Sequence, residues 1–314
     1  MEEQIITRKL NPHVDPVLDV WQWQVPVYLF VGGLTAGLLV LAAVHVLQRR
    51  RSATATKLLP AVPLLLGLGM FALFLDLEHK LYVWRFYTSF QVTSPMSWGA
   101  WILLLVVPAG LLLAAATLRE SWPDAFAWAE ARGGVWRTVV AWAEERLRVL
   151  AGVTLVLGVA LGVYTGILLS AYAARPFWNT SLLGLIFLAS GLSSAAALVQ
   201  AASRDAHEQH RYTVLDLGLI AAELFLIGLM VFGLATGPLP QQRAAALVLG
   251  GPLSAYFWIF VVGIGLLLPA FVEYVHLRGR ALPRYLAPAL VLFGGLVFRF
   301  FIVEAGQLTA WVGY

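Results

Sequence analysis

The sequence predicts an all-α integral membrane protein with eight transmembrane helices, and three observations lead to this fold class. Of the 314 residues, 60% are hydrophobic and 12% are charged, and the mean hydropathy is +0.81. Soluble domains are about 45–50% apolar and about 25% charged. Apolar runs long enough to cross about 30 Å of hydrocarbon recur along the whole chain. Most connections between the runs are short, which suits a compact bundle of antiparallel helices.

The eight apolar runs, numbered spans 1 to 8, fix the order of the elements. They cover about 24–47, 58–77, 96–118, 148–173, 180–202, 213–236, 247–276 and 284–304. The chain then divides into an outer N-terminal segment (1–23), spans 1 to 3 (24–118), a cytoplasmic loop (119–147) and spans 4 to 8 (148–314). The first 20 residues lack the basic start and apolar middle of a cleavable signal, so span 1 is expected to direct insertion itself.

The loop of residues 119–147, between spans 3 and 4, is expected to carry two amphipathic helices on the membrane surface. Ser121 is a candidate N-cap with Pro123 in the first helical turn, and Gly133 and Gly134 form a break. Tryptophans that alternate with charges suit the membrane interface. The alternative is a simple connector, and neither reading gives the loop a catalytic role.

Basic residues predict the orientation of the spans. Fourteen of the 21 lysines and arginines, including Arg49, Arg50 and Arg51, fall in the loops after spans 1, 3, 5 and 7. By the positive-inside rule these loops are cytoplasmic, and both termini lie on the outer, periplasmic side. The sequence pI of about 9.5 then reflects membrane topology, and nucleic-acid binding is a poor explanation of it.

A cluster of charges follows the apolar run of span 2. Asp76 ends the run, and Glu78, His79 and Lys80 come directly after it. If the helix continues, Asp76 and Lys80 are four residues apart and can pair, which would close the span with an interfacial salt bridge. The functional alternative is a half-buried pocket in which Asp76 exchanges protons with a bound ligand.

Aromatic and polar side chains converge on the same outer level of the membrane. Gln24 and Tyr28 open span 1 within WQWQVPVY, and Tyr164 and Thr165 lie in the outer half of span 4. Together with Asp76 they would line a pocket with aromatic walls and a few polar groups, which suits a small, mostly apolar ligand. For the tryptophans at this level, an aromatic belt at the membrane boundary is the alternative.

Ionisable residues inside spans 6 to 8 are unusual, because a charge at mid-bilayer costs at least about 2.5 kcal/mol. Asp216 and Glu223 share one face of span 6, and Glu273, Arg299 and Glu304 lie in spans 7 and 8. A structural pair of Arg299 with a carboxylate is one explanation. Another is a proton path to the outer pocket, with Asp216 and Glu223 in its inner half. A secondary ion-coupled transporter would also use such residues, although no convincing sequence repeat links the two halves.

The residue types present limit the cofactors that the protein can bind. It has no cysteine, so it cannot build a thiolate zinc site or a cysteine-bound iron–sulfur cluster by itself. His45 and His276 lie near the cytoplasmic ends of spans 1 and 7 and are candidate ligands of a b-type haem, which makes a haem-containing cytochrome a further alternative. We expect no haem and no metal bound by this polypeptide.

Four stretches resemble the NrfD family of membrane anchors. They are WQWQVPVYLFVGGLTAG, LDLEHKLYVWRF, SPMSWGAW and YTGILLSAYAARPFWNTSLLGLIFLASGLSS, spread over residues 21–200. The resemblance implies two four-helix bundles without haem in the bacterial plasma membrane, and a menaquinone or ubiquinone site near the outer face. It also implies a ferredoxin-like partner subunit with four-iron clusters on that face, joined to a molybdopterin catalytic subunit.

The resemblance also assigns roles to individual positions. Asp76 matches the family's aspartate at the end of span 2, and Tyr164 matches its quinone-facing tyrosine. Tyr28 falls where a family member has a histidine, and Lys80 or His79 would supply the positive charge that an arginine supplies in many members. The protein is then expected to be a quinone-reactive subunit, not catalytic alone, of a polysulfide reductase-like respiratory oxidoreductase complex. Whether it also translocates protons stays open.

Overall fold

The computed structural model of the protein describes residues 20–48, 53–280 and 282–309. Arg8, Lys9 and Arg49–Arg51, which entered the charge count, lie outside these ranges. All regular elements among the described residues are helical, and eight helices are long and apolar enough to cross a membrane. The predicted all-α membrane fold is confirmed. Spans 1 to 8 are Gln24–Leu47, Thr54–Asp76, Pro95–Ala116, Leu147–Ser170, Leu183–Ala202, Ala206–Thr236, Tyr256–Leu277 and Leu286–Gln307.

Spans 6 and 7 begin at places that the apolar pattern did not reveal. Span 6 begins at Ala206 instead of about 213, because the carboxylate of Asp205 accepts a hydrogen bond of 3.0 Å from the His207 amide and caps the helix. Residues Leu239–Leu249 form a helix of their own. The sequence Gly-Gly-Pro at 250–252 separates that helix from span 7. Span 7 itself starts as a π-helix over Tyr256–Leu267 and continues as an α-helix over Leu268–Leu277.

The loop between spans 3 and 4 contains a single helical turn, Leu118–Ser121, followed by two short helices, Pro123–Arg132 and Gly134–Glu145. Gly133 has a φ of 61° and Gly134 a φ of 60°, a backbone conformation that glycine adopts without strain. The helical conformation is therefore interrupted at these two residues, between the two helices. Ser121 is not the N-cap of the first helix. Its hydroxyl group instead forms a hydrogen bond of 2.7 Å with that of Thr56, and Trp122 occupies the N-cap position.

Spans 1 to 4 pack as one bundle and spans 5 to 8 as a second, and spans 1 and 5 meet at the seam between them. The seam depends on glycine. A methyl group at Gly37 would lie 2.3 Å from the carbonyl oxygen of Gly191, and one at Gly191 would lie 2.5 Å from that of Gly33. Only glycine allows two helix backbones to approach this closely. The GGLTAG run of span 1 therefore joins the two bundles.

The loops after spans 1, 3, 5 and 7 meet on one side of the protein, which we call the basic face. Side-chain hydrogen bonds join them in pairs: Thr54 to Glu208 (2.5 Å), Thr56 to Ser121 (2.7 Å), and Arg284 to the carbonyl oxygen of Ser203 (2.8 Å). The residues before span 1 and at the end of span 8 meet on the opposite side, where the Trp21 amide donates a hydrogen bond of 2.9 Å to Gln307. We call this side the cavity face.

Candidate functional site

A cavity of about 260 Å³ lies among spans 1 to 4, on the cavity face. Its wall is mostly apolar, and its polar atoms come from four tyrosines and one half-buried carboxylate: Tyr28, Tyr87, Tyr164, Tyr172 and Asp76. Asp76 is the only charged residue among the described residues that line the cavity. Three residues that the sequence assigned to an outer pocket, namely Tyr28, Asp76 and Tyr164, therefore meet in one cavity.

Tyr164 is positioned by a glycine on the neighbouring helix. A methyl group at Gly99 of span 3 would lie 1.9 Å from Cζ and 2.0 Å from the hydroxyl oxygen of Tyr164. The ring of Tyr164 therefore occupies the space that a side chain at position 99 would fill. This contact fixes the depth at which the phenol enters the cavity.

Tyr28 and Asp76 enter the cavity from spans 1 and 2. Tyr28 is only 4% exposed, and its ring lies beside Gly69 of span 2, where an added methyl group would be in ordinary contact at 3.5 Å. No residue that the structure describes forms a hydrogen bond with the hydroxyl groups of Tyr28 or Tyr164. The α-helix of span 2 ends at Asp76, because Leu77 adopts an extended conformation. This break leaves the carboxylate at the edge of the membrane region.

Trp21 forms part of the cavity wall and is held by residues of the second bundle. The side-chain oxygen of Gln307 accepts hydrogen bonds from the amides of Val20 (3.2 Å) and Trp21 (2.9 Å), and its nitrogen donates to the Trp21 carbonyl (3.0 Å). The Trp21 ring stacks on Trp178 with centroids 5.1 Å apart, and the edge of Tyr172 meets it at 5.4 Å. The first bundle contains the cavity, but the second holds part of its wall.

Two of the cavity tyrosines lie outside the membrane-spanning helices. Partial burial raises the pKa of the Tyr87 and Tyr172 phenols above the ordinary value. Both groups stay protonated at neutral pH and remain available as hydrogen-bond donors. Neither tyrosine was predicted from the sequence to line the pocket. Tyr87 lies in the short helix Arg85–Thr88 between spans 2 and 3, and Tyr172 lies just after the end of span 4.

Four other predicted site residues do not line this cavity. Thr165 is fully buried and donates to the carbonyl oxygen of Gly162 in its own helix (3.1 Å). Gln24 lies half-buried on span 1, with a buried side-chain oxygen that has no hydrogen-bond partner among the described residues. His79 and Lys80 are exposed beyond the end of span 2. Among the described residues Lys80 forms no ion pair with Asp76, because the helix has ended between them.

A second group of buried polar residues lies among spans 5 to 8. Asp216, Glu223, Glu273 and Arg299 are each at most 2% exposed. The hydroxyl group of Ser193 donates a hydrogen bond of 2.5 Å to Asp216, and Glu273 faces Asp216 from span 7. The predicted proton-path residues of spans 6 and 7 therefore lie in one polar cluster inside the second bundle.

Arg299 is held by span 5. It donates a hydrogen bond of 3.1 Å to the carbonyl oxygen of Phe187, and its guanidinium lies 3.9 Å above the Phe187 ring. Glu223 interacts with it electrostatically, but within the described ranges no carboxylate oxygen lies within 4.0 Å of an Arg299 nitrogen. A direct Arg299–carboxylate pair is therefore not formed in this arrangement.

Small polar cavities lie on both sides of the Asp216–Glu273 pair. One of about 20 Å³ connects Glu273 with His276 and Arg284 towards the basic face, and one of about 10 Å³ lies beside Glu223 and Ser193. A single water molecule needs roughly 10–15 Å³. The two cavities are therefore of the size that one water molecule occupies.

The remaining predicted residues lie apart from both groups. Glu304 is exposed near the end of span 8 on the cavity face. His45 and His276, the candidate haem ligands, line two different cavities. Within the described ranges, no group of three or more His, Cys, Asp or Glu side chains is arranged to hold a metal ion.

Comparison with known proteins identifies the family. Residues 10–311 match the family model described as "Polysulphide reductase, NrfD". The chain belongs to the NrfD family. Protein NrfD of Escherichia coli (strain K12) is 33% identical to it over 92% of this sequence and 96% of the relative. The C subunit of polysulfide reductase from Wolinella succinogenes is 30% identical over 92% of this sequence and 94% of the relative.

A third relative, Protein NrfD homolog of Haemophilus influenzae, is 28% identical over 92% of this sequence and 95% of the relative. Membership of the family is consistent with a membrane anchor of a redox complex. With its eight apolar helices, this NrfD-family member is a multi-pass protein of the bacterial inner membrane.

Proposed function

We propose that this protein binds a quinone, menaquinone or ubiquinone, in the cavity among spans 1 to 4. There the quinone exchanges electrons with an iron–sulfur partner subunit. The observation that carries the proposal is the composition of the cavity. It combines aromatic walls with the hydroxyl groups of Tyr28 and Tyr164, which no described residue engages, and with the single carboxylate of Asp76. An apolar ligand with two carbonyl oxygens fits such a wall.

The size of the cavity supports the same ligand class. Ligand pockets usually measure about 300–1,000 Å³, and this cavity of about 260 Å³ is just below that range. It accommodates a ring-shaped head group, while the apolar tail extends between the helices into the lipid. The quinone supplies the redox chemistry by taking up two electrons and two protons.

The protein's own residues position the head group and handle protons. The phenols of Tyr28 and Tyr164 donate hydrogen bonds to the ligand's carbonyl oxygens, and Asp76 exchanges a proton between the cavity and the cavity face. His79 and Lys80 are exposed three and four residues further along the sequence, and Lys80, or His79, supplies positive charge near that carboxylate. Gln24 and Thr165 are the remaining residues predicted to bind the quinone. They do not line the cavity, so they act on the ligand only through neighbouring residues.

The segment after span 2 is the proposed docking surface for the partner. Leu81 is 88% exposed, and Tyr82 and Trp84 are about half exposed, with Arg85 stacked over the Tyr82 ring at 4.6 Å. Exposed apolar and aromatic surface of this kind marks protein–protein contacts. We assign it to a ferredoxin-like subunit with four-iron clusters, joined to a molybdopterin catalytic subunit. By the positive-inside rule the basic face is cytoplasmic, and this surface is periplasmic.

Two substitutions in the intact complex test the quinone site. Asp76→Asn and Tyr164→Phe should each lower quinone-coupled turnover, by about 10²-fold for Asp76→Asn, as expected for loss of a general acid or base. Glu78→Gln is the matched control, because Glu78 is exposed and does not line the cavity. Wild-type turnover in Asp76→Asn would contradict the assignment.

We further propose that the polar cluster of the second bundle conducts protons from the basic face. Glu273, Asp216 and Glu223 form its steps. The small cavities on either side of the Asp216–Glu273 pair serve as water sites, and Arg299 lies at the end of the path towards span 1. Exposed Glu304 lies at the opposite end of the proposed path, on the cavity face. Glu223→Gln should reduce proton uptake from the cytoplasmic side while the quinone affinity is retained. Unchanged uptake, measured with a pH indicator in proteoliposomes, removes the path from the proposal.

Two other function classes make different predictions. A transporter built from two repeats would have interrupted helices at equivalent positions, but span 7 begins with a π-helix while span 3, its counterpart in the first half, is a continuous α-helix. Solute transport by the purified protein alone would nevertheless favour that class. A haem absorption band in the purified protein would favour a cytochrome.

A further inference from the structure

A second large cavity, of about 560 Å³, opens on the basic face between the end of span 1 and the start of span 6. Span 1 belongs to the first bundle and span 6 to the second, and both pack on span 5. None of the residues that line this cavity belongs to the proposed quinone site or to the proton path.

The lining of this cavity changes from polar to apolar with depth. Gln48, directly after span 1, and His210 and Arg211 of span 6 line its outer part. Leu41 and Leu215 line its inner part. At 1.5 Å per helical residue, Leu41 lies about 10 Å deeper than Gln48, and Leu215 about 6 Å deeper than Arg211. A polar head with an apolar chain attached matches this order.

The charges around the cavity favour an anionic head. Arg211 is exposed and forms no ion pair among the described residues, and no Asp or Glu of the described residues lines the cavity. His45 and His210 add further nitrogen groups to the same wall. In the sequence Gln48 is followed by Arg49, Arg50 and Arg51, which lie outside the described residues.

We propose that this cavity binds an anionic phospholipid from the leaflet at the basic face. The phosphate lies beside Arg211, and the acyl chains run along Leu41 and Val214 at the junction of the two bundles. A basic pocket between transmembrane helices on the cytoplasmic side is a recognised setting for anionic lipid head groups. The inference needs no quinone at the other site, and the two proposals can fail separately.

Lipid titration followed by native mass spectrometry tests the proposal on the complex, solubilised in a non-ionic detergent. Dioleoyl-phosphatidylglycerol should bind saturably and more tightly than dioleoyl-phosphatidylcholine. Arg211→Gln should weaken phosphatidylglycerol binding about fivefold, the factor that corresponds to one arginine near an anionic surface. Arg280→Gln is the matched control, because Arg280 is exposed on the same face and does not line the cavity.

A second variant tests the apolar part of the cavity, and it still tests the proposal if Arg211→Gln does not fold. Val214→Trp should fill the space of the acyl chains and weaken binding while Arg211 is retained, and unchanged binding overturns the proposal. Inorganic phosphate at matched concentration distinguishes a lipid site from a simple anion site. Displacement by phosphate, equal binding of the two lipids, or equal effects of Arg211→Gln and Arg280→Gln each overturn the proposal.

Discussion

Replacing Gly99 with alanine should move the Tyr164 phenol and thereby slow quinone-coupled turnover. The added methyl group would lie 1.9 Å from Cζ of Tyr164, whereas ordinary contact begins at 3.4 Å. The ring must therefore retreat by roughly 1.5 Å, or the two helices must separate, and overpacking of this kind costs about 1–3 kcal/mol of stability. A misplacement of about 1 Å at a reacting centre can cost about 10²-fold in rate.

The assay compares quinone-coupled turnover and thermal stability of the complex for two alanine variants. Gly67→Ala is the control, because span 2 offers open space at that position and no atom lies within 4 Å of the added methyl group. Gly99→Ala should lower turnover by more than its loss of thermal stability accounts for. Gly67→Ala should change neither turnover nor thermal stability. If Gly99→Ala turns over like wild type while Tyr164→Phe is impaired, the position of the hydroxyl group is unimportant and the reasoning fails.

Two further predictions concern contacts between the bundles. Gln307→Leu removes the hydrogen bonds that hold Trp21. The KM for quinone should therefore rise several-fold while kcat is largely retained. A changed kcat with an unchanged KM would contradict the view that Gln307 only positions the cavity wall. Gly37→Ala places a methyl group 2.3 Å from a backbone oxygen of span 5 and should destabilise the protein by about 1–3 kcal/mol, measured as a lower melting temperature in detergent. Gly32→Ala is the control and should not lower the melting temperature, because no atom lies within 4 Å of its added methyl group. Equal melting temperatures of the two variants would show that the seam can relax.

The sequence predicted the eight spans because an apolar run of membrane length is a strong local signal. Where the boundaries depend on short polar motifs, the prediction was less accurate. The Asp205 cap starts span 6 among polar and charged residues (206–211) that hydropathy assigns to a loop. The Gly-Gly-Pro sequence at 250–252 delays span 7, although residues 244–249 before it are apolar. Hydropathy averages over such motifs and therefore cannot locate them.

The candidate site could be predicted only in part. Tyr28, Asp76 and Tyr164 were identified as unusual residues at one membrane level, and all three line the cavity. Thr165 follows Tyr164 directly, but one residue turns an α-helix by about 100°. Its hydroxyl group donates a hydrogen bond to the carbonyl oxygen of Gly162 in its own helix, and Thr165 does not line the cavity. Trp21 escaped prediction because its position depends on Gln307, a contact that no local pattern encodes.

The bond between Trp21 and Gln307 also sets the order in which the protein can mature. The two residues are separated by 286 positions, and at about 5–20 residues per second a ribosome needs roughly 15–60 s to travel from one to the other. During that interval the first four helices can enter the bilayer, but the aromatic wall contributed by Trp21 cannot yet be fastened. A nascent polypeptide therefore completes the wall of this cavity only after the eighth helix has been made.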